Sequence, residues 1–315
     1  MLERRDPGHR SETTTIRSTN SEIASPGRPL LALAAGAAIV SFAPILVKAA
    51  TQWDMGPTAI ALWRCLLGAL FVAGLATIRR VRLLAPRSVM GLLVLTGFAF
   101  ALDLFIWHRA IILTGAGMAT ILASVQVFVT AVLSAALFRE PLTARFVLSA
   151  TAALGGVVLL VGVGSDVAFT PEYLKGIGYG LATGLLYSLF LVSLRTAGRR
   201  SRDLSSLVSL FWFSLIAGLV LLGISGTEST TVLPANWQAL ALVALLALLA
   251  QSLGWWTIAR SLPRVEGAVG GLVLLLQPVL ATIWGVLIFG EPLAPLQIVG
   301  AAVTLVAVYQ GSVKV

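Results

Sequence analysis

Several stretches of twenty or more residues carry no charged side chain, among them 146–165, 204–227, 267–290 and 292–313. A helix of about 20 apolar residues crosses the roughly 30 Å hydrocarbon core of a bilayer. In lipid the backbone must satisfy its own hydrogen bonds, which a helix does within itself. Another uncharged run, 111–138, is longer than one crossing needs, and two more runs are interrupted only by Arg64 and Asp103. Charged residues make up 11% of the 315, against about 25% in a soluble domain. That is too few to cover a surface facing water.

The pattern predicts an all-α polytopic membrane protein with ten transmembrane helices: 30–50, 57–78, 88–108, 115–138, 144–164, 174–195, 204–225, 236–259, 265–289 and 294–313. The connections are short and insert no soluble domain. Residues 1–29 are polar, Ser/Thr-rich and basic, which predicts a disordered cytoplasmic tail. No apolar region followed by a cleavage site precedes Leu30, so no removable signal peptide is expected.

The net charge of +9 does not point to nucleic acid, because the basic residues fall in short clusters between apolar runs rather than along one face. Their distribution orients the chain instead. With a cytoplasmic N-terminus, inside segments hold the tail arginines, Arg79/Arg80/Arg82/Arg87, Arg139/Arg145, Arg195/Arg199/Arg200/Arg202, Arg260/Arg264 and Lys314. Outside segments hold Arg109 and Lys175, so both termini are expected in the cytoplasm. Cys65 is the single cysteine and the two histidines, His9 and His108, are far apart, so no disulfide, metal site or cofactor is expected.

The turn "ALFREPL" at 136–142 returns as "LIFGEPL" at 287–293. An offset of 151 residues places Glu140 on Glu291, Pro141 on Pro292, Phe138 on Phe289 and Gln126 on Gln277. Residues 36–51 match 180–195 in apolar pattern, and Trp63 matches Trp212. The chain therefore reads as two five-span repeats, 30–164 and 174–313. Since five is odd, the repeats lie in the membrane with inverted topology, a plan common among secondary transporters with a midplane substrate site. Each motif glutamate is expected at a helix start, where the dipole favours it, and each proline in the first helical turn. Arg139 belongs to the inside turn and Gly290 to the outside turn.

The ten spans, the Leu62-Trp63-Arg64 sequence in the second, and the doubled Glu-Pro-Leu closing the fourth and ninth resemble the EamA family of the drug/metabolite transporter superfamily. The resemblance runs from Leu30 to Gln310 and implies a carrier of the bacterial cytoplasmic (inner) membrane. It implies a secondary transporter that exports small metabolites, most often amino acids or related compounds, by alternating access. A central cavity lined by spans 1, 3, 4, 6, 8 and 9 is implied as well. The expected partners are a small-molecule substrate and the lipid bilayer, with the chain a monomer or homodimer. A multidrug or other small-solute efflux carrier is the alternative within the class; a channel or non-transporting membrane scaffold lies outside it. No nucleophile, base or metal set converges at one depth, so no enzyme is expected.

Ionisable groups at membrane depth pair or line a cavity. At about 1.5 Å of rise per residue, Lys48, Arg64 and Asp103 fall in the outer third, with His108 close by. Arg64 and Asp103 read either as an ion pair joining spans 2 and 3, or as a gate or anchor for a zwitterionic or anionic substrate. Trp107 shares a helix face with Asp103. Gln126, Tyr187 and Gln277 lie near mid-depth, where they serve either interhelical hydrogen bonds or a cavity. Trp255 and Trp256 read as an interfacial belt. Pro44 and Pro278 are expected to break spans 1 and 9 and to free the carbonyls of Val40 and Leu274. Gly155/Gly156 and Gly270/Gly271 are expected to let helices approach closely.

Overall fold

The computed structural model describes residues 27–53, 55–161, 170–201, 203–228, 232–234, 236–290 and 294–312. The N-terminal tail, the Glu291-Pro292-Leu293 turn and Lys314 lie outside these. The described residues are helical apart from short connections. Span 1 is α1 (Gly27–Val40) and α2 (Ala43–Thr51); span 2 is α3 (Pro57–Ile78). Spans 3 and 4 share α4 (Arg87–Ser124), and span 4 continues as α5 (Gln126–Phe138). Span 5 is α6 (Ala144–Val161), span 6 α7 (Pro171–Arg200) and span 7 α8 (Ser206–Ser225). Span 8 joins α9 (Trp237–Leu246) to α10 (Trp255–Ser261) through a π-helical segment, Ala247–Gly254. Span 9 is α11 (Gly267–Val273) and α12 (Leu276–Phe289), and span 10 is α13 (Pro295–Ser312). The protein is a multi-pass membrane protein.

The 38 residues of α4 would extend about 57 Å as one straight helix, nearly twice a bilayer core. Its contacts with α7 show that it does not run straight. Thr96 bonds to Ser193, and Thr114 packs at Gly176. Leu122 then packs at Gly180, and Ser188 bonds to the backbone of Gln126. The chain runs down α7 and then back up it, so it reverses after Thr114. Spans 3 and 4 are two limbs, as the sequence predicts, with the third reaching about six residues farther than expected.

Helices matched by the internal repeat pack against each other antiparallel. In spans 2 and 7, Leu66 lies against Gly218, while Trp63 donates to the Val232 carbonyl just beyond span 7. In spans 4 and 9, Gln126 meets Gly271 and Ser134 meets Gly267. In spans 5 and 10, Gly156 meets Thr304 and Ser149 meets Gly311. In each pair the residue numbers rise on one helix as they fall on the other, which is what inverted repeats require. Small residues permit this. A Cβ on Gly156 would sit 2.4 Å from the Thr304 hydroxyl oxygen. Gly271 is looser and Gly155 faces open space, so the two glycine pairs do not act alike.

The basic clusters converge on one face. Arg79 lies over Trp256, Trp212 donates to the Leu83 carbonyl, and Gly198 abuts Pro263. Arg195 reaches Glu140 and the Val265 carbonyl on that face.

The motif turn differs from its expected form. α6 begins at Ala144, so Pro141 lies before the helix rather than in its first turn. Glu140 accepts a 2.9 Å bond from the backbone N–H of Gly267, the first residue of α11. The expected attraction to a helix start is present, but the helix belongs to the other repeat. Arg139 and Gly290 also share a cause beyond charge. Both end a helix in the left-handed region, with φ of 55° and 64°, where glycine fits without a Cβ penalty.

Candidate functional site

One cavity of about 590 Å³ lies between the repeats. Span 1 lines it from Val40 to Thr51, span 3 from Phe100 to Ile111 and span 4 from Ala123 to Gln126. Arg64 of span 2, Thr183 and Tyr187 of span 6, Trp255 of span 8, Leu274 to Thr282 of span 9 and Gln297 of span 10 complete the wall. These stretches run from mid-depth toward the face that carries Thr51 and Gln297. No lining residue, among the described ones, comes from 28–36, 88–96, 130–138 or 190–200. The cavity therefore opens at the face opposite the arginine clusters and is closed below.

Breaks in three helices shape it. Span 1 is interrupted at Ser41–Phe42, and Pro44 stands in the first turn of α2. Span 9 is interrupted at Leu274–Leu275, with Pro278 in the first turn of α12. The Leu274 carbonyl accepts from the Gln277 N–H instead. Span 4 breaks at Val125 without any proline. Only its repeat relation to span 9 could have shown that break. Trp284 staffs the gap in span 1 by donating to the Ser41 hydroxyl at 2.8 Å and stacking on Phe42.

Lys48, Arg64, Asp103, Trp107, Gln126, Tyr187 and Gln277 all line this cavity, as do Pro44 and Pro278. His108 does not. It is buried behind span 2, with Nδ1 2.9 Å from the Pro57 carbonyl. Gln126 donates to the Gly271 carbonyl at 3.0 Å and accepts from Thr130, tying span 4 to span 9. Gln277 instead donates to the Tyr187 hydroxyl at 3.2 Å. The two repeat-equivalent glutamines thus do different jobs.

Arg64 and Asp103 do not form the ion pair that is one of the two readings of their depth. Arg64, 3% exposed, donates Nε to the Gln251 side-chain carbonyl at 3.2 Å and lies against the Phe100 ring. Asp103, 6% exposed, has one carboxyl oxygen with no hydrogen-bond partner among the described residues. A buried cation and a buried acid thus share one wall without closing on each other.

Gln251 is the residue that sequence reasoning missed. It is fully buried in the π-helical segment of span 8, and its amide nitrogen donates to the Ser214 hydroxyl at 2.9 Å. Gly68 makes room for it, since a Cβ there would stand 2.4 Å from its Cγ. A glutamine at the middle of a largely apolar span, away from Gln238 at its end, was the available signal. Trp255 also differs from its expected place. It is 2% exposed, forms part of the cavity wall and packs edge-on to Phe100 and Phe190. With Phe213 these rings form an aromatic floor. Trp256 alone keeps an interfacial character.

The EamA-like transporter family matches residues 28–162 and again 174–310. The chain belongs to that family. Among curated relatives, the threonine/homoserine exporter RhtA of Escherichia coli (strain K12) is 26% identical over 56% of this chain and 58% of its own. The WAT1-related protein At3g02690, chloroplastic, of Arabidopsis thaliana is 29% identical over 62% of this chain and 48% of its own. The chain spans about half the length of the curated relatives it matches. A solved structure described as "Crystal structure of protein" superposes with a TM-score of 0.77 at 20% identity, covering 90% of this chain and 98% of that one. At that identity the likeness is one of fold. The EamA match falls once on each repeat, and the cavity lies between the two matched segments.

Proposed function

We propose that this EamA-family chain exports small zwitterionic metabolites, amino acids or close derivatives, across a bacterial cytoplasmic membrane by alternating access. The observation that carries the reading is the separated pair in the cavity wall. A substrate carboxylate suits the guanidinium of Arg64, and its ammonium suits the unpartnered oxygen of Asp103. Filling both at once supplies the pairing that buried charges require. The volume of about 590 Å³ falls in the range of small-molecule sites, about 300–1,000 Å³. Family membership and the likeness to a threonine/homoserine exporter support the same class.

An organic-cation efflux carrier would use Asp103 and the aromatic wall of Trp107 and Phe100, but Lys48 and Arg64 on that wall oppose a cation. In this reading the arginine-rich face is cytoplasmic, in keeping with the positive-inside rule, and the cavity opens outward. The test is counterflow of labelled threonine and homoserine into proteoliposomes, run beside metabolomics of medium from overexpressing and deletion cells. Saturable exchange that collapses in Asp103→Asn supports the reading. A linear leak, or an unchanged metabolome with no counterflow, refutes it.

A further inference from the structure

Below the aromatic floor, the two repeats meet through one carboxylate. Glu140 follows α5 of the first repeat. Its Oε1 accepts from Arg195 at 2.5 Å and from Arg199 at 3.2 Å, both on span 6. Its Oε2 accepts from the N–H of Gly267 at the start of span 9. Arg195 also donates to the Val265 carbonyl through Nε and Nη2, at 3.0 and 2.7 Å. The guanidinium carbons of Arg195 and Arg199 lie 4.5 and 4.8 Å from the centroid of the Phe138 ring. The Arg195–Glu140 side chains are 3% and 12% exposed. The segment 138–140 of the first repeat is thus clasped by two spans of the second, at the closed end of the cavity.

Three features distinguish this from a fixed staple. It is ionic, whereas the other contacts described between spans 4 and 9, Gln126 to the Gly271 carbonyl and Ser134 at Gly267, are neutral; the burial cost of an ion pair nearly offsets its Coulomb gain, so exchanging it for water on opening is nearly neutral. Spans 4 and 9, whose ends it joins, each break at cavity depth, at Val125 and Leu274–Leu275. The route between cavity and clasp also holds buried polar atoms without partners among the described residues: Thr183 Oγ1 on the cavity wall, Ser134 Oγ, and Arg195 Nη1. A Cβ on Gly267 would lie 1.9 Å from Ser134 Oγ and 3.2 Å from Arg195 Nη1, so these atoms crowd a tight seam. Buried polar groups without partners among the described residues fit a passage that fills with water in another state.

We propose that Glu140, Arg195, Arg199 and the Gly267 N–H form the releasable gate of the closed face, and that breaking them opens the cavity toward the arginine-rich side. The proposal rests on the alternating-access reading above, but its test needs no substrate. Cysteine in place of Ser134 is placed in the seam, and maleimide labelling rates are measured in lipid nanodiscs, where both faces are accessible. Native Cys65, which is 0% exposed, serves in the same variants without the Ser134 change as a reporter of general loosening. Ser134→Cys is expected to label at least tenfold faster with Glu140→Gln or Arg195→Gln. Arg199→Gln, removing the more exposed partner, gives a smaller rise, and Cys65 stays slow throughout. Unchanged seam labelling overturns the gate, and so does a rise matched at Cys65, which would mark loss of packing. Labelling that responds while counterflow is absent would leave the gate standing and remove the exporter reading; the converse would remove the gate alone.

Discussion

Replacing Gln251 with leucine keeps about the same volume and removes the polar end that holds Arg64. Two bonds are lost: the one accepted from Arg64 Nε at 3.2 Å and the one donated to Ser214 at 2.9 Å. A hydrogen bond to a charged group contributes about 1.5–3 kcal/mol, and a neutral interhelical bond in a membrane protein about 0.6 kcal/mol. Arg64 keeps its charge and is only 3% exposed, so solvent replaces the lost acceptor poorly. The expected destabilisation of Gln251→Leu is therefore about 2–4 kcal/mol. Most of that resides in the Arg64 contact, which a double-mutant cycle with Arg64→Met isolates. In the Arg64→Met background, Gln251→Leu is expected to cost less than about 1 kcal/mol, leaving a coupling of about 1.5–3 kcal/mol. Unfolding of purified protein in mixed detergent micelles, followed by tryptophan fluorescence, measures all four corners. If the single effects add within about 0.5 kcal/mol, Gln251 does not hold Arg64 and the argument fails. Counterflow supplies a second readout. If Gln251 aims the guanidinium, Gln251→Leu raises the half-saturating substrate concentration more than it lowers the maximal rate.

The turn and packing arguments make narrower predictions. Gly290→Ala meets no atom within 4 Å but keeps φ near 64°, so it should cost about 1 kcal/mol through backbone strain alone. Arg139→Gly relieves the equivalent strain and should stabilise by a few tenths to about 1 kcal/mol in the same assay; a loss of stability would show that the arginine side chain outweighs its backbone. Gly156→Leu should separate spans 5 and 10, because even a Cβ would stand 2.4 Å from the Thr304 hydroxyl and 2.7 Å from the Gly300 carbonyl. Gly155→Leu, facing open space one residue earlier, should be tolerated, and equal expression and thermal stability of the two would contradict the packing.

Charge-free run length gave the spans, because lipid leaves the backbone one economical solution per crossing. Rise per residue gave depth, and seven of the eight candidate side chains, Trp107 chosen by the helix face it shares with Asp103, line one cavity. Depth along a single helix does not say which way a side chain turns or which helix faces it. His108 has the same depth as its neighbours but points to the Pro57 carbonyl, and Arg64 selects Gln251 from span 8 over Asp103 from span 3. The Glu-Pro-Leu turn illustrates the same boundary. Its recurrence revealed the repeat, but the dipole argument placed Glu140 at the start of span 5, whereas the helix start it meets is that of α11, 127 positions along the chain. The left-handed residue before it accounts for this. At φ 55°, Arg139 turns the chain sharply out of α5, so Glu140 reaches the opposite repeat while α6 starts only at Ala144. Arginine in the first turn and glycine in the second meet the same backbone demand; arginine meets it at a conformational cost.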